Sequence, residues 1–143
     1  MPEQTERLPV DPTTPGFFLE GIHHVQIAIP PGGEEAARGF YKQVLGLREV
    51  PVSPLVSKLA IAWFEQDSLR LHVGIDPDFH PSRRGHPAFV VRTYDDLIHH
   101  LETMGIAVTQ AATVAGSRRC HIHDPFGNRI ELIEKPHAGE IPG

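Results

Sequence analysis

The chain runs through the same order of elements twice, and this repetition limits its fold more than any other feature. The first half opens with an apolar run over 22–29, IHHVQIAI, stopped by Pro30-Pro31-Gly32-Gly33. A helix is predicted from Glu34 to Leu45: Ala37, Phe40, Tyr41, Val44 and Leu45 share one face at helical spacing, and Gly46 supplies the stop. Strands are expected over 48–52, 59–64 and 69–74, the last two joined by the polar turn Glu65-Gln66-Asp67-Ser68. The second half opens with a strand over 86–91. Thr93 follows, with an acid three residues on, which reads as a capped helix start. Leu97, Ile98, Leu101 and Met104 make the apolar face of this second helix, and Gly105 ends it. Strands over 107–110, 119–123 and 129–134 complete the unit, with Asp124 to Asn128 as the final turn.

The two halves are nearly in register. Gly46 to His72 is 26 residues, and Gly105 to Glu131 is also 26. His24 to Gly46 is 22 and His86 to Gly105 is 19; the difference falls in the Pro-Gly segment before the first helix. The expected fold is α+β: two tandem βαβββ modules forming a cupped mixed sheet, with helices on its outer face. Neither module is expected to bury its sheet alone. Module one is placed at about 21–75 and module two at about 85–135, within one domain over 19–136. A proline-rich arm over 1–18 precedes it and a short tail over 137–143 follows.

Composition narrows the function classes. A net charge of −5 gives no electrostatic case for binding nucleic acid or an anionic membrane surface. No apolar run reaches the ~20 residues of a membrane span, and the polar start MPEQTERLPVDPTTPG has no signal-peptide core. One cysteine, Cys120, rules out an internal disulfide and suits a reducing compartment. A cytoplasmic protein acting on a small molecule is expected.

Strand alternation then sorts the histidines. Neighbouring side chains of a strand point to opposite faces. In the first strand His23 is grouped with Val25, Ile27 and Ile29 on the helix side, and His24 with Gln26 and Ala28 on the other. The same sorting leaves Arg70 and His72, His86 and Ala88, and Glu131 on the open face. His24, His72, His86 and Glu131 thus hold equivalent places in two related modules, and in a cupped sheet they can converge. Three imidazoles and a carboxylate suit zinc, nickel, cobalt, manganese or iron, and are too nitrogen-rich for a magnesium or calcium cage. A single histidine at a strand start is ordinarily a surface or satisfied core residue; the case rests on four equivalent positions together. Arg119 and His121 are expected on the same open face, with Cys120 and Ile122 toward the core. An arginine there can hold a substrate carboxylate or phosphate, although a surface arginine is an equally ordinary reading. Trp63 and Phe64 point oppositely, and which one faces the cavity is open. His121 and His123 share a face but lack an evident third partner, with His80 on a loop. Arg83 and Arg84 read as a solvated loop pair, and His99 and His100 as helix-surface residues.

HHVQIAI followed by FYKQVLGL, then GHPAFVV, then HDPFGNRIELIE, resembles the vicinal oxygen chelate superfamily, which includes glyoxalase I, fosfomycin-resistance proteins, methylmalonyl-CoA epimerase, bleomycin-resistance proteins and extradiol dioxygenases. The resemblance covers Gly21 to about Lys135. It implies a divalent metal held in the cup, with ligand positions matching His24, His72, His86 and Glu131. His72 departs from the glutamate or glutamine that glyoxalase I and the epimerase tend to place there. The implied function is a glyoxalase-like lyase or isomerase acting on a small oxygenated substrate through adjacent oxygens, with Glu131 as ligand and base and with Arg119, His121, Gln26 and Arg70 around the substrate. The alternatives are drug or metabolite sequestration of the bleomycin-resistance type, and an extradiol-type dioxygenase. A homodimer is the implied assembly.

Overall fold

A computed structural model describes residues 9, 11, 13–56 and 60–136. Residues 1–8, 10 and 12 of the expected arm over 1–18, and all of the expected tail over 137–143, lie outside them. Along the chain come β1 (Val25–Ile29), α1 (Glu34–Arg38) continuing into a π-helical segment (Gly39–Val44), β2 (Arg48–Val50), β3 (Ala62–Gln66) and β4 (Leu69–Ile75). After these come β5 (Ala88–Val91), α2 (Tyr94–Thr103), β6 (Thr109–Val114), β7 (Ser117–His123) and β8 (Arg129–Glu134). They build two four-stranded mixed sheets, ordered β1-β4-β3-β2 and β5-β8-β7-β6. In each sheet the first strand pairs parallel to the last, β1 with β4 and β5 with β8, and the other pairs are antiparallel. The parallel pairs need a crossover, and each helix lies in one. The expected duplicated βαβββ architecture is the one observed.

Local chemistry moves several boundaries. β1 starts at Val25 rather than Ile22, so alternation does not reach back to His23. The β3–β4 turn is tighter than expected: β3 runs through Gln66, and Asp67-Ser68 alone make the turn, with Asp67 at φ 49°. Aspartate is one of the few residues that tolerates this left-handed conformation. β6 and β7 extend to a two-residue turn at Ala115-Gly116, both at positive φ. A non-glycine, non-Asx residue is a poor advertisement for such a turn, which is why the sequence reading ended these strands early. Thr93 precedes α2 but makes no side-chain cap, and Met104 ends up exposed rather than on the apolar face. The predicted stops hold: Gly46 and Gly105 both take positive φ just past their helices.

One hydrophobic core serves both modules. Tyr41, Phe64, Leu71 and Val73 from the first join Leu101, Cys120, Ile122 and Ile130 from the second, all fully buried. Polar contacts fix how the modules meet. Tyr41 Oη donates to Asp124 Oδ2 at 2.7 Å, and Asn128 Nδ2 donates to the Ala28 carbonyl at 2.9 Å. His100 Nε2 lies 2.9 Å from the Val44 carbonyl, which ties α2 to the end of the π-helical segment. Asp124 is buried and also accepts from the Phe126 and Asn128 amides and from Asn128 Nδ2, so neither carboxylate oxygen is left unpaired. Gly33 completes the contact: a Cβ there would stand 2.7 Å from the Phe126 ring.

Candidate metal centre

The ladder register places the candidate ligands. In the second sheet Glu131 pairs with Ala88 on one side and His121 on the other, and its amide donates to the Pro87 carbonyl at 3.0 Å. His86 stands two residues before Ala88. In the first sheet His72 pairs with Gln26 and Trp63, and His24 stands two residues before Gln26. Each sheet therefore carries the same three-point arrangement: His86, Glu131 and His121 in one, His24, His72 and Trp63 in the other.

In the second sheet the three points close. His86 Nε2 is 3.5 Å and His121 Nε2 3.2 Å from the same oxygen, Glu131 Oε1, and the three atoms lie within 4.8 Å of one another. Fixed hydrogen-bond partners settle what these atoms offer. The Arg84 carbonyl can only accept, so His86 donates to it from Nδ1 at 2.7 Å and keeps a lone pair on Nε2. Arg129 can only donate, so at 2.9 Å its Nη2 makes His121 Nε2 an acceptor. Burial and then the Arg129 charge hold the His121 imidazole below its ordinary pKa. For Glu131 burial acts to raise the carboxyl. The hydrogen bond and charge of Arg119 outweigh it and leave the group below the usual carboxylate value. Arg119 Nη1 donates to Glu131 Oε1 at 2.7 Å while its Nε donates to the Ala112 carbonyl at 2.7 Å. Two imidazole nitrogens and one carboxylate oxygen thus converge on a common point, with the guanidinium groups of Arg119 and Arg129 beside them. Glu131 and His121 are each only 8% exposed, so water screens the charges here little. The donor set fits a first-row divalent ion.

The first sheet's points stack instead. His24 and His72 lie with ring centroids 4.1 Å apart and planes 16° apart, and Trp63 lies 4.4 Å from His72 at 14°. Burial, then the neighbouring His24 and His23, lowers the His72 pKa. Trp63 Nε1 is buried without a hydrogen-bond partner. Among the described residues His24 and His72 do not join the second-sheet group within one chain. His23 corrects the sequence reading: it is exposed rather than turned to the core, with its Nδ1 2.9 Å from His24 Nδ1.

The remaining expected residues separate. Arg119 and His121 share the open face as predicted, with Cys120 and Ile122 buried behind. Gln26 is exposed on β1, and Arg70 is exposed with Glu65 at 3.9 Å. Arg83 and Arg84 line an open cavity on the linking loop. His123 and His80 are exposed and stand outside the ligand group. Trp63, not Phe64, is the aromatic on the open face, because Phe64 is fully buried. The sequence reading set His121 beside the substrate, or in a second metal site with His123 and His80; the structure groups it with His86 and Glu131. The signal was its cross-strand pairing with Glu131, which becomes readable once both strand boundaries are known.

Comparisons with known proteins bear on the family and the fold. The model of the Glyoxalase/Bleomycin resistance protein/Dioxygenase superfamily matches residues 21–132. Among solved structures, a glyoxalase family protein from Bacillus anthracis is 37% identical, covering 83% of this chain and 98% of its own, with a TM-score of 0.78. A lactoylglutathione lyase from Agrobacterium tumefaciens is 21% identical over 81% of this chain and 94% of its own, at 0.63. The fosfomycin resistance protein FosX from Listeria monocytogenes is 14% identical over 82% and 95%, at 0.62. The last two share the fold. A search of curated proteins finds no match. With paired βαβββ modules and a family match over most of its length, the chain belongs to the glyoxalase/bleomycin resistance/dioxygenase superfamily.

Proposed function

We propose that the protein is a metal-dependent enzyme of the glyoxalase type, a lyase or isomerase acting on a small substrate that presents two adjacent oxygens. The observation behind this reading is the convergence of His86 Nε2, His121 Nε2 and Glu131 Oε1 on one point. These residues would hold a zinc, nickel, cobalt, manganese or iron ion. Such an ion, when bound, supplies Lewis-acid stabilisation of charge developing on a substrate oxygen. Glu131 is the one carboxylate of the group and is assigned the proton at the carbon beside the carbonyl. Its contacts with Arg119, His121 and His86 all fall on Oε1, which leaves Oε2 to take that proton. Buried walls around Glu131 and His121 keep bulk water from competing for it.

β1 and β5 are edge strands, and His24 precedes the one as His86 precedes the other. A second copy that sets its first sheet beside this second sheet brings His24 and His72 to His86 and Glu131, so the working form is proposed to be a homodimer. Its single cysteine suits a reducing compartment such as the cytoplasm. Sequestration of a drug would not need three ligand atoms converging on one point. A second reading has a specific support: two histidines and one carboxylate are also the ligand set of non-haem iron oxygenases, and oxygen uptake with a catechol tests it.

Metal analysis of the gently purified protein beside Glu131→Ala tests the main proposal. About one transition-metal ion per site in the parent, lost in the variant, is the expected result. A parent that is metal-free and also fails to take up added nickel, zinc, cobalt, manganese or iron overturns it.

A further inference from the structure

Most described arginines are engaged. Arg38, Arg118 and Arg119 hold carboxylates, and Arg70 and Arg92 each face one. Arg83 and Arg84 differ. They stand side by side and exposed in the loop between the modules, and among the described residues neither guanidinium has an ion pair or hydrogen bond. A chain of net charge −5 offers acids for them to meet. The two cations instead line one open cavity of about 340 Å³, a size that suits a small ligand.

The loop that carries them is fixed in place. Ser82 Oγ accepts from the Gly85 amide at 2.8 Å, and Asp76 accepts from the Asp78 and Phe79 amides. Phe79 packs edge-on against Phe126, with ring centroids 6.4 Å apart. Gly127 lies so close to Pro81 that a Cβ there would stand 3.5 Å from the proline ring. The loop is thus seated on the turn from Asp124 to Asn128. From that seat two residues lead to His86, whose Nδ1 donates to the Arg84 carbonyl at 2.7 Å. Two residues span at most about 7 Å. An anion on this pair therefore lies within a small molecule's length of the point where His86, His121 and Glu131 converge.

We infer that Arg83 and Arg84 bind an anionic group of the substrate, a phosphate, phosphonate or carboxylate, while its two adjacent oxygens meet the His86–His121–Glu131 group. This rests on the metal-dependent reading above and names its substrate class. Guanidinium forks hold such oxyanions by paired hydrogen bonds and stay charged at any working pH. Two neighbouring cations also favour a dianion, and so a phosphate or phosphonate over a carboxylate. The solvated pair expected from the sequence would show no such preference.

Calorimetry on the full-length, cobalt(II)-loaded protein tests this with two compounds. Glycerate presents a carboxylate beside a hydroxyl, and 3-phosphoglycerate adds a phosphate at the far carbon. The parent is expected to bind the phosphorylated compound at least about tenfold more tightly, the scale of one charge-assisted contact. Arg83→Gln and Arg84→Gln are each expected to lose most of that preference. Arg48→Gln, an equal loss of exposed charge on β2, is expected to keep it. Cobalt affinity is expected to match the parent in all three variants, because Arg84→Gln leaves the backbone carbonyl that holds His86. No preference in the parent overturns the inference, as does a preference kept in both Arg83→Gln and Arg84→Gln. An equal loss in Arg48→Gln also overturns it, because general electrostatics would then account for the effect. In all these cases bound cobalt leaves the metal reading standing. A parent that binds no cobalt removes both.

Discussion

His72 of the first sheet and Glu131 of the second hold the same place in the register. Each lies opposite the residue two positions past a histidine, Gln26 after His24 and Ala88 after His86. One position of a duplicated unit thus carries an imidazole in one copy and a carboxylate in the other. Around the carboxylate the neighbours converge as ligands; around the imidazole they stack as rings.

The homodimer proposal makes a mixing experiment decisive. His24→Ala and Glu131→Ala should each be inactive alone. If the site draws His24 from one copy and Glu131 from the other, mixed dimers collect both defects in one site and leave the second site intact. Refolding the two variants together should then restore up to about half the parental activity per mixed dimer. Mixtures no more active than their components would place all ligands in one chain.

His121 is separable from the other candidates by metal affinity. Loss of a group that only supports a ligand typically costs 10–100-fold, so removing a ligand should cost at least about 100-fold. His121→Ala and His86→Ala are both expected to exceed that, as read by competition with a chromogenic chelator. A His121→Ala loss below about tenfold would return His121 to the substrate side of the site.

Acid should weaken the protein in a window set by the half-buried His72 and the buried His121. His72 and His121 have folded pKa values below the ordinary 6.5, chiefly through burial. The unfolded chain therefore binds more protons, so stability is complete above about pH 6.5 and falls as pH drops from there toward the folded values. Glu131, lowered from 4.5, adds a loss of the same sign at lower pH. Urea midpoints in the presence of chelator should decline between about pH 7 and pH 5. His72→Gln and His121→Gln should each flatten that slope, and a parental midpoint constant across the window would contradict the assignment.

Tyr41 and Asp124 join the modules, and breaking their bond should be felt globally. Tyr41→Phe leaves a buried carboxylate oxygen one donor short and should cost about 1–3 kcal/mol. Burial, with Asp124 alongside, already pushes the Tyr41 phenol far above its ordinary pKa, so its hydroxyl stays a donor at any working pH. Leu101→Ala, a fully buried change on α2, should cost about 2–5 kcal/mol by cavity formation. Chemical denaturation measures both. A Tyr41→Phe midpoint equal to the parent would mean that Asn128 and the turn amides suffice for Asp124.

Much of this was legible in the sequence because two periods, helical and strand, each repeated. The helix stops at Gly46 and Gly105 could be read, as could the open-face placement of His72, Arg119 and Glu131 within their strands, since each depends on local alternation or on glycine's tolerance of positive φ. What could not be read depends on contacts distant in sequence. His23 fails because alternation was extended past the true start of β1. The Ala115-Gly116 turn carries a residue that gives no turn signal. Pairing of His121 with Glu131, and the capture of both by arginines, requires the β7–β8 register. The core shared between modules requires the Tyr41–Asp124 and Asn128–Ala28 contacts, 83 and 100 residues apart in the chain.

Cys120 lies between Arg119 and His121 on β7, yet its side chain is wholly buried, and burial raises its thiol above the ordinary pKa. Oxidants attack thiolates that they can reach, and this sulfur is neither ionised nor reachable. The strand at the heart of the candidate centre therefore pairs an acid-sensitive front with an oxidation-resistant back. Peroxide or a shift in thiol poise would leave the ligand set unaltered, whereas a fall in pH would dismantle it.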